Sequence, residues 1–309
     1  MLSRTAGSLF WMARYLERAD ASSRLLLLGR RLGMLPQGVS GDDWRSVLAV
    51  SGNDAGFSRD QFISEEQAIT ILLLDADNPA SIRSALGRAR ANGRAARTGL
   101  SIEMWEALND GWRRFDRLTV DKALQDLPAL MDWVRGFAAR FRGAVSTSML
   151  RNEGHDFVII GSAIERADLT MRLLDVNYHL LLPASDTVGG HRDVYRWNAL
   201  LQTLSGLRAY YHVYRDAVLP WHVADFLLKS RIFPRSLAFS TDQIRYHLGR
   251  LSAQHGTVPM VLRDVETLDD RLAGMEDGAI FQYGLHEFLQ ESLRALNGVG
   301  RGVGEAYHF

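Results

Sequence analysis

Apolar residues recur at steps of three and four through most of the chain, and alternating runs bounded by tight turns are scarce. In the first segment Leu9, Met12, Ala13, Leu16 and Ala19 form one stripe, while Arg14, Glu17, Arg18, Ala21 and Arg24 take the opposite face. That is the pattern of an amphipathic helix. The same period runs through Leu127 to Phe141, Phe157 to Leu182, Trp197 to Val218, Ser236 to Leu251 and Val258 to Leu272. The pattern predicts an all-α protein.

The helical phrases are written twice. ERADASSRLL begins at Glu17 and ERADLTMRLL at Glu165, 148 positions later, and at the same spacing Met1-Leu2 matches Met149-Leu150. Further on, WRSVLAVSG from Trp44 resembles WNALLQTLSG from Trp197 with one extra residue. ILLLDADNPASI (Ile71 to Ile82) resembles FLLKSRIFPRSL (Phe226 to Leu237), setting Pro79 against Pro234 and Ser81 against Ser236. Each proline is expected at a first helical position, where its missing N–H is no loss. A period this long implies duplication rather than a solenoid. The expected architecture is an internally duplicated helical bundle with pseudo-twofold symmetry. It would be a single domain over residues 1–309 made of two fused repeats, approximately 1–145 and 146–309, with about five helices per half. The Gly-, Pro- and polar-rich stretches Gly33 to Asp43 and Pro183 to His191 read as matched loops.

Composition changes this picture little but excludes several functions. Thirty-six basic and thirty-six acidic side chains cancel, so no global field draws the chain to nucleic acid or an anionic membrane. No cysteine is present to form a disulfide or a thiolate metal site, which fits a cytoplasmic location. The longest apolar runs, Ala68 to Leu74 and Leu25 to Leu28, are too short to span a bilayer. Arg14 and Glu17 interrupt the first apolar stretch, so no signal peptide is read.

The duplicated charges are the candidate chemistry. Asp20 with Arg24 and Asp168 with Arg172 stand acid before base at i and i+4, which supports a helix by a few tenths of a kcal/mol. Glu17-Arg18 and Glu165-Arg166 diverge on the helix and need other partners. One reading is ion pairing between the halves that holds the bundle in register. Another is a polar pocket, formed by Arg14, Glu17, Arg18, Glu165, Arg166, Arg235 and Ser236, that receives a charged ligand. A third is a carboxylate-bridged metal site of the di-iron kind. The Glu-x-x-His spacing it needs occurs only at Glu305 to His308, in the C-terminal tail, so no metal ligands are assigned. Arg235, directly after Pro234 at an expected helix start, is placed for an anion. Arg83, Arg90, Arg94 and Arg97 form a basic stripe, in which Arg90, Asn92 and Arg94 are a possible anion site. The histidines show no ligand spacing, and no nucleophile elbow or glycine-rich phosphate loop occurs.

Four separated blocks carry a family likeness: MLSRTAGSLFWMARYLERAD, ARANGRAARTGLSIEMWEALN (Ala89 to Asn109), GSAIERADLTMRLLD (Gly161 to Asp175) and FPRSLAF (Phe233 to Phe239). Together they resemble the alpha-E family of bacterial all-helical proteins, over essentially the whole chain. The second block departs from the family pattern Ala-Arg-Glu-Asn-Ala-Arg, with Ala91 in place of the glutamate and Gly93 in place of the alanine. The resemblance implies a circularly permuted ATP-grasp protein as partner, and in some cases a transglutaminase-like protein. It implies a helical partner subunit of an ATP-grasp amidoligase system, assisting amide-bond formation on a peptide or small metabolite. No cofactor is expected in this chain, and ATP and Mg are expected on the ATP-grasp partner. A non-catalytic helical scaffold and a metalloenzyme are the alternatives.

Overall fold

The computed structural model describes residues 1–33, 42–53, 57, 61–180, 191–276 and 284–309, with the side chains of 42–43, 177–180 and 191–193 excepted. The protein is all-α, and no strand occurs among the described residues. Its residues form two compact units, 1–165 with 307–309, and 166–306.

The first unit holds α1 (Ser3–Leu32), α2 (Asp42–Val50), α3 (Glu65–Ile69) with a π turn over Thr70–Leu74, α4 (Ile82–Ala95), α5 (Ile102–Phe115), α6 (Val120–Gln125), α7 (Leu127–Ser148) and the opening of α8 (Glu153–Leu180). The sequence of α1 reads as an amphipathic helix with its charges on one face. Eighteen of its thirty residues are buried, and α1 packs against α2, α4 and α7. Leu9, Phe10, Met12 and Leu26 are fully enclosed, each contributing about 1.5–3 kcal/mol by leaving water. The charged face is enclosed as well, with Glu17, Asp20 and Arg24 all buried. A charge enclosed in this way is carried only where opposite charge meets it.

The second unit holds the remainder of α8, then α9 (His191–Thr203), α10 (Leu207–Tyr214), α11 (Pro220–Lys229), α12 (Leu237–His255), α13 (Met260–Ala273) and all but the last residue of α14 (Leu285–Tyr307). α12 packs on α13 and α11, and α11 on α9, α10 and α13. The expected single helix from Trp197 to Val218 is broken between α9 and α10. Ser205 takes a left-handed φ of 58°, and the Gly206 N–H bonds back to the Leu201 carbonyl. The first unit ends α2 in the same way, with Gly52 at φ 74° and the Asn53 N–H on the Leu48 carbonyl. In both, a left-handed residue after the helix lets the next N–H reach a carbonyl five residues back.

The prolines Pro79 and Pro234 do not occupy first helical positions. α4 and α12 begin three residues later, behind the N-caps Ser81 and Ser236, whose hydroxyls accept from the N–H groups of Ser84 (3.0 Å) and Phe239 (3.0 Å). A serine hydroxyl satisfies a helix-start donor better than proline can. Each cap hydroxyl also donates to the carbonyl six residues earlier, Asp75 and Ser230 respectively. Proline takes the helix-start role at Pro128 of α7 and Pro220 of α11. The expected loops Gly33 to Asp43 and Pro183 to His191 lie outside the described residues apart from their ends.

Candidate functional site: a buried Arg–Glu network

Where α8 meets α1, Gly161 lets the two backbones touch. A Cβ on Gly161 would lie 2.5 Å from the Phe10 carbonyl oxygen and 3.3 Å from Arg14 Cγ. One helical turn beyond this contact on each helix stand Glu165 and Arg14.

Arg14 Nε donates to Glu165 Oε1 at 2.7 Å, and Arg18 donates to the same oxygen at 2.7 Å and to Oε2 at 3.3 Å. The Arg14 guanidinium also lies 4.7 Å over the Trp11 ring, and that of Arg18 lies 5.5 Å over Tyr15, which orients both forks. Burial alone would push the Glu165 carboxyl up, but the charges of Arg18 and Arg14 and their hydrogen bonds outweigh it and hold the group below the usual glutamate range. Glu165 is therefore ionised at neutral pH, with both oxygens occupied by guanidinium N–H groups.

The next turns of α1 carry the other acids. Arg24 Nε donates to Asp20 Oδ2 at 2.8 Å, a pair at i and i+4 that is almost wholly enclosed. Arg142, from α7, donates to Glu17 Oε1 at 3.2 Å and stands 3.9 Å from Asp20 Oδ1. Burial pulls the Arg142 guanidinium down in pKa, and the charges of Glu17 and Asp20 reverse that and raise it. Three carboxylates thus meet four guanidiniums. Each acid accepts from at least one of them, and Arg14, Arg18 and Arg142 keep 12%, 26% and 31% of their side-chain surface exposed.

The sequence-derived candidates separate on this geometry. Arg14, Glu17, Arg18 and Glu165 share the network. Arg166 is half-buried on the next residue of α8, in the second unit. Arg235 and Ser236 also lie in the second unit, where the Arg235 carbonyl accepts the Thr170 hydroxyl at 2.8 Å and Ser236 caps α12. Arg90, Asn92 and Arg94 do not converge. Arg90 donates to Asn109 on α5 at 3.0 Å, Asn92 turns back to the Arg88 carbonyl at 2.9 Å, and Arg94 is exposed. Neighbours two apart on a helix point about 200° away from each other.

Sequence reasoning missed Arg142, although the signal was present. It follows Ala138 by one turn and so lies about 40° from it, inside the apolar stripe of α7, whereas Arg140 points about 200° away. A charge inside an apolar stripe is a charge that needs a buried partner.

The Glu-Arg dipeptide occurs twice, at Glu17-Arg18 and Glu165-Arg166, and three of these four residues are in the network. No helix among the described residues is long and apolar enough to cross a membrane. Comparison with curated proteins and with solved structures returned no match. The family model described as Alpha-E, a predicted alpha-helical domain with a conserved ER motif, matches residues 1–308, and the chain belongs to the Alpha-E family.

Proposed function

We propose that this chain is the helical partner subunit of an ATP-grasp amidoligase, assisting ATP-dependent amide formation on a peptide or small metabolite. The observation that carries the reading is the state of the network. Every one of its carboxylates accepts from a guanidinium, and Glu165 is held ionised, so these acids are poorly suited to shuttle protons. The sequence offers no glycine-rich phosphate loop. A chain of this kind fits a role of positioning and recognition, with the phosphoryl chemistry, ATP and Mg on the circularly permuted ATP-grasp protein that the family resemblance implies. The exposed edges of Arg18 and Arg142 are the parts able to meet an anionic substrate or partner group.

The same saturation of charge favours a second reading, a scaffold in which the network serves the fold alone. Coexpression with a circularly permuted ATP-grasp protein of the kind the family resemblance implies separates the two. Complex formation, ADP release and ligation are measured for the native chain and for Arg18→Gln. Loss of turnover with an unchanged melting temperature supports the partner role. A lowered melting temperature with full turnover per folded molecule supports the scaffold. No complex and no gain in turnover over the ATP-grasp chain alone defeats the ligase reading.

We also read the two units as copies of one ancestral helical unit. The pairs Asp20–Arg24 and Asp168–Arg172 recur at 2.8 and 2.7 Å. The Ser22 hydroxyl donates to the Ala80 carbonyl, as Thr170 does to Arg235, at 2.7 and 2.8 Å. The buried positions Leu127, Met131, Val134, Ala138, Phe141 and Val145 of α7 correspond to Leu285, Leu289, Ser292, Leu296, Val299 and Val303 of α14, also buried. In that register Gly300 stands where α7 has Arg142. The copies therefore differ at the guanidinium that meets the α1 acids, and Asp168 keeps 21% side-chain exposure where Asp20 has none.

A further inference from the structure

Away from the network, α5 and α7 border an open cleft of about 370 Å³ lined by Asp110, Gly111 and Arg114 on one side and Trp133, Gly136, Phe137 and Arg140 on the other, with Asp110, Arg114, Gly136 and Arg140 exposed at its mouth. Helical spacing puts Trp133, Gly136, Phe137 and Arg140 on one face of α7. Two glycines shape it. A Cβ on Gly111 would collide with the Phe137 ring, so the absence of a side chain there lets the ring lie across α5. A Cβ on Gly136 would meet nothing within 4 Å, so this glycine borders open space. Trp133 stacks between Phe115 and Phe137, with centroids 6.4 and 6.1 Å away, and forms a rigid aromatic wall.

The charges here are arranged unlike those of the network. Asp110 and Arg114 stand at i and i+4, the spacing at which an acid and a base pair by default. They form no salt bridge. The Arg114 guanidinium instead lies 4.6 Å over the Trp133 ring. Among the described residues neither Arg114 nor Arg140 has a carboxylate partner. Two guanidiniums, one already seated over an indole, border a cleft whose volume lies at the small end of small-molecule sites.

We propose that this cleft binds a singly charged carboxylate carrying an apolar side chain, the chemistry shared by an N-acylated amino acid and a peptide C-terminus. The guanidinium forks match the planar carboxylate. The space over Gly136, beside the aromatic wall, takes the side chain. Asp110 on the rim repels a phosphate dianion and accepts from an amide N–H. The site lies on other residues than the Arg–Glu network, and the proposal does not depend on the ligase reading.

Isothermal titration calorimetry on the full chain tests it, with N-acetylphenylalanine, N-acetylalanylphenylalanine, the C-terminal amide of each, and inorganic phosphate as probes. Saturable binding of the acids is expected, at least about tenfold tighter than of the amides, and Arg140→Gln weakens it about tenfold. Gly136→Leu abolishes binding while the melting temperature holds or rises, because it fills open space and leucine favours a helix over glycine. Tighter binding of the dipeptide identifies a peptide C-terminus, and equal binding identifies a free metabolite. The proposal is overturned by no saturation at millimolar acid, by phosphate binding as tightly as the acids, or by binding that survives Gly136→Leu.

Discussion

Replacing Glu165 by glutamine keeps the shape of the side chain and removes the charge that Arg14 and Arg18 share. Glu165 is buried, and the Arg14 side chain keeps only 12% of its surface exposed, so water replaces little of what is lost. Breaking a buried ion pair by removing one partner costs about 3–5 kcal/mol. At about 2–4 °C per kcal/mol for a unit of this size, the unit containing the network should melt about 10 °C lower. Thermal unfolding followed by circular dichroism measures this, and a cycle with Arg14→Met assigns it. The double variant should lose about 1–3 kcal/mol less than the two singles together, since Arg14→Met removes a charge that Glu165→Gln has already stranded. The pH dependence has a defined sign. The folded pKa of Glu165 is depressed, so its stabilisation is present above the unfolded value of about 4.3 and is lost as pH falls through the folded value. The gap between the native chain and Glu165→Gln should therefore be widest near neutrality and narrow in acid. A melting shift under about 2 °C, or singles that add to within about 0.5 kcal/mol, would refute a strongly coupled network.

Other sites give independent tests. Gly161→Ala sets a Cβ 2.5 Å from the Phe10 carbonyl oxygen, a backbone atom that cannot swing aside, and should cost several kcal/mol in chemical denaturation; a neutral result would mean α1 and α8 are not in backbone contact. Ser81→Ala and Ser236→Ala each remove an N-cap and a second hydrogen bond made by the same hydroxyl, and each should cost about 0.5–2 kcal/mol in urea melts. Tyr307 is pushed up to about 12 by burial first and by the charges of Asp156 and Glu153, so ultraviolet titration should show one phenol resisting ionisation near pH 11. Its folded pKa lies above the unfolded value near 10, so stability should fall as pH rises between the two, and Tyr307→Phe should remove that part of the fall.

How far the sequence could lead depended on whether the deciding contact was local. Helical period placed α7, α8, α12 and α13 to within several residues, because one face of each is apolar over several turns. The break after α9 was hidden, because Ser205 adopts a left-handed conformation that usually marks itself with glycine. The helix starts were displaced from proline to serine for a comparable reason, since a cap hydroxyl and a proline two residues earlier both read as punctuation. At the network, the repeated phrase pointed to Glu17, Arg18 and Glu165, but their partners come from other helices. Arg142 lies far from Glu17 in sequence, and only its phase within α7 betrayed it. Arg114 and Arg140 carried no such mark, because the cleft they border is made by what Gly111 and Gly136 lack.

The position of Gly161 explains why the network uses charge at all. A helix enclosed like α1 could have been apolar throughout, and replacing buried ion pairs by packed apolar groups is often neutral or stabilising. Apolar stripes, however, tolerate sliding: one residue of slip moves α8 along α1 by about 1.5 Å and turns it by about 100°. The contact of Gly161 with Phe10 sets the closest approach, and Arg14 and Arg18 then accept only the register that presents Glu165. On this argument, charge fixes the crossing that presents Glu165. It also follows that an apolar replacement of the trio Arg14, Arg18 and Glu165 should preserve or raise thermal stability while broadening the NMR signals of α1 and α8. A triple variant that melts well below the native chain yet keeps sharp signals would show that the pairs supply stability rather than register.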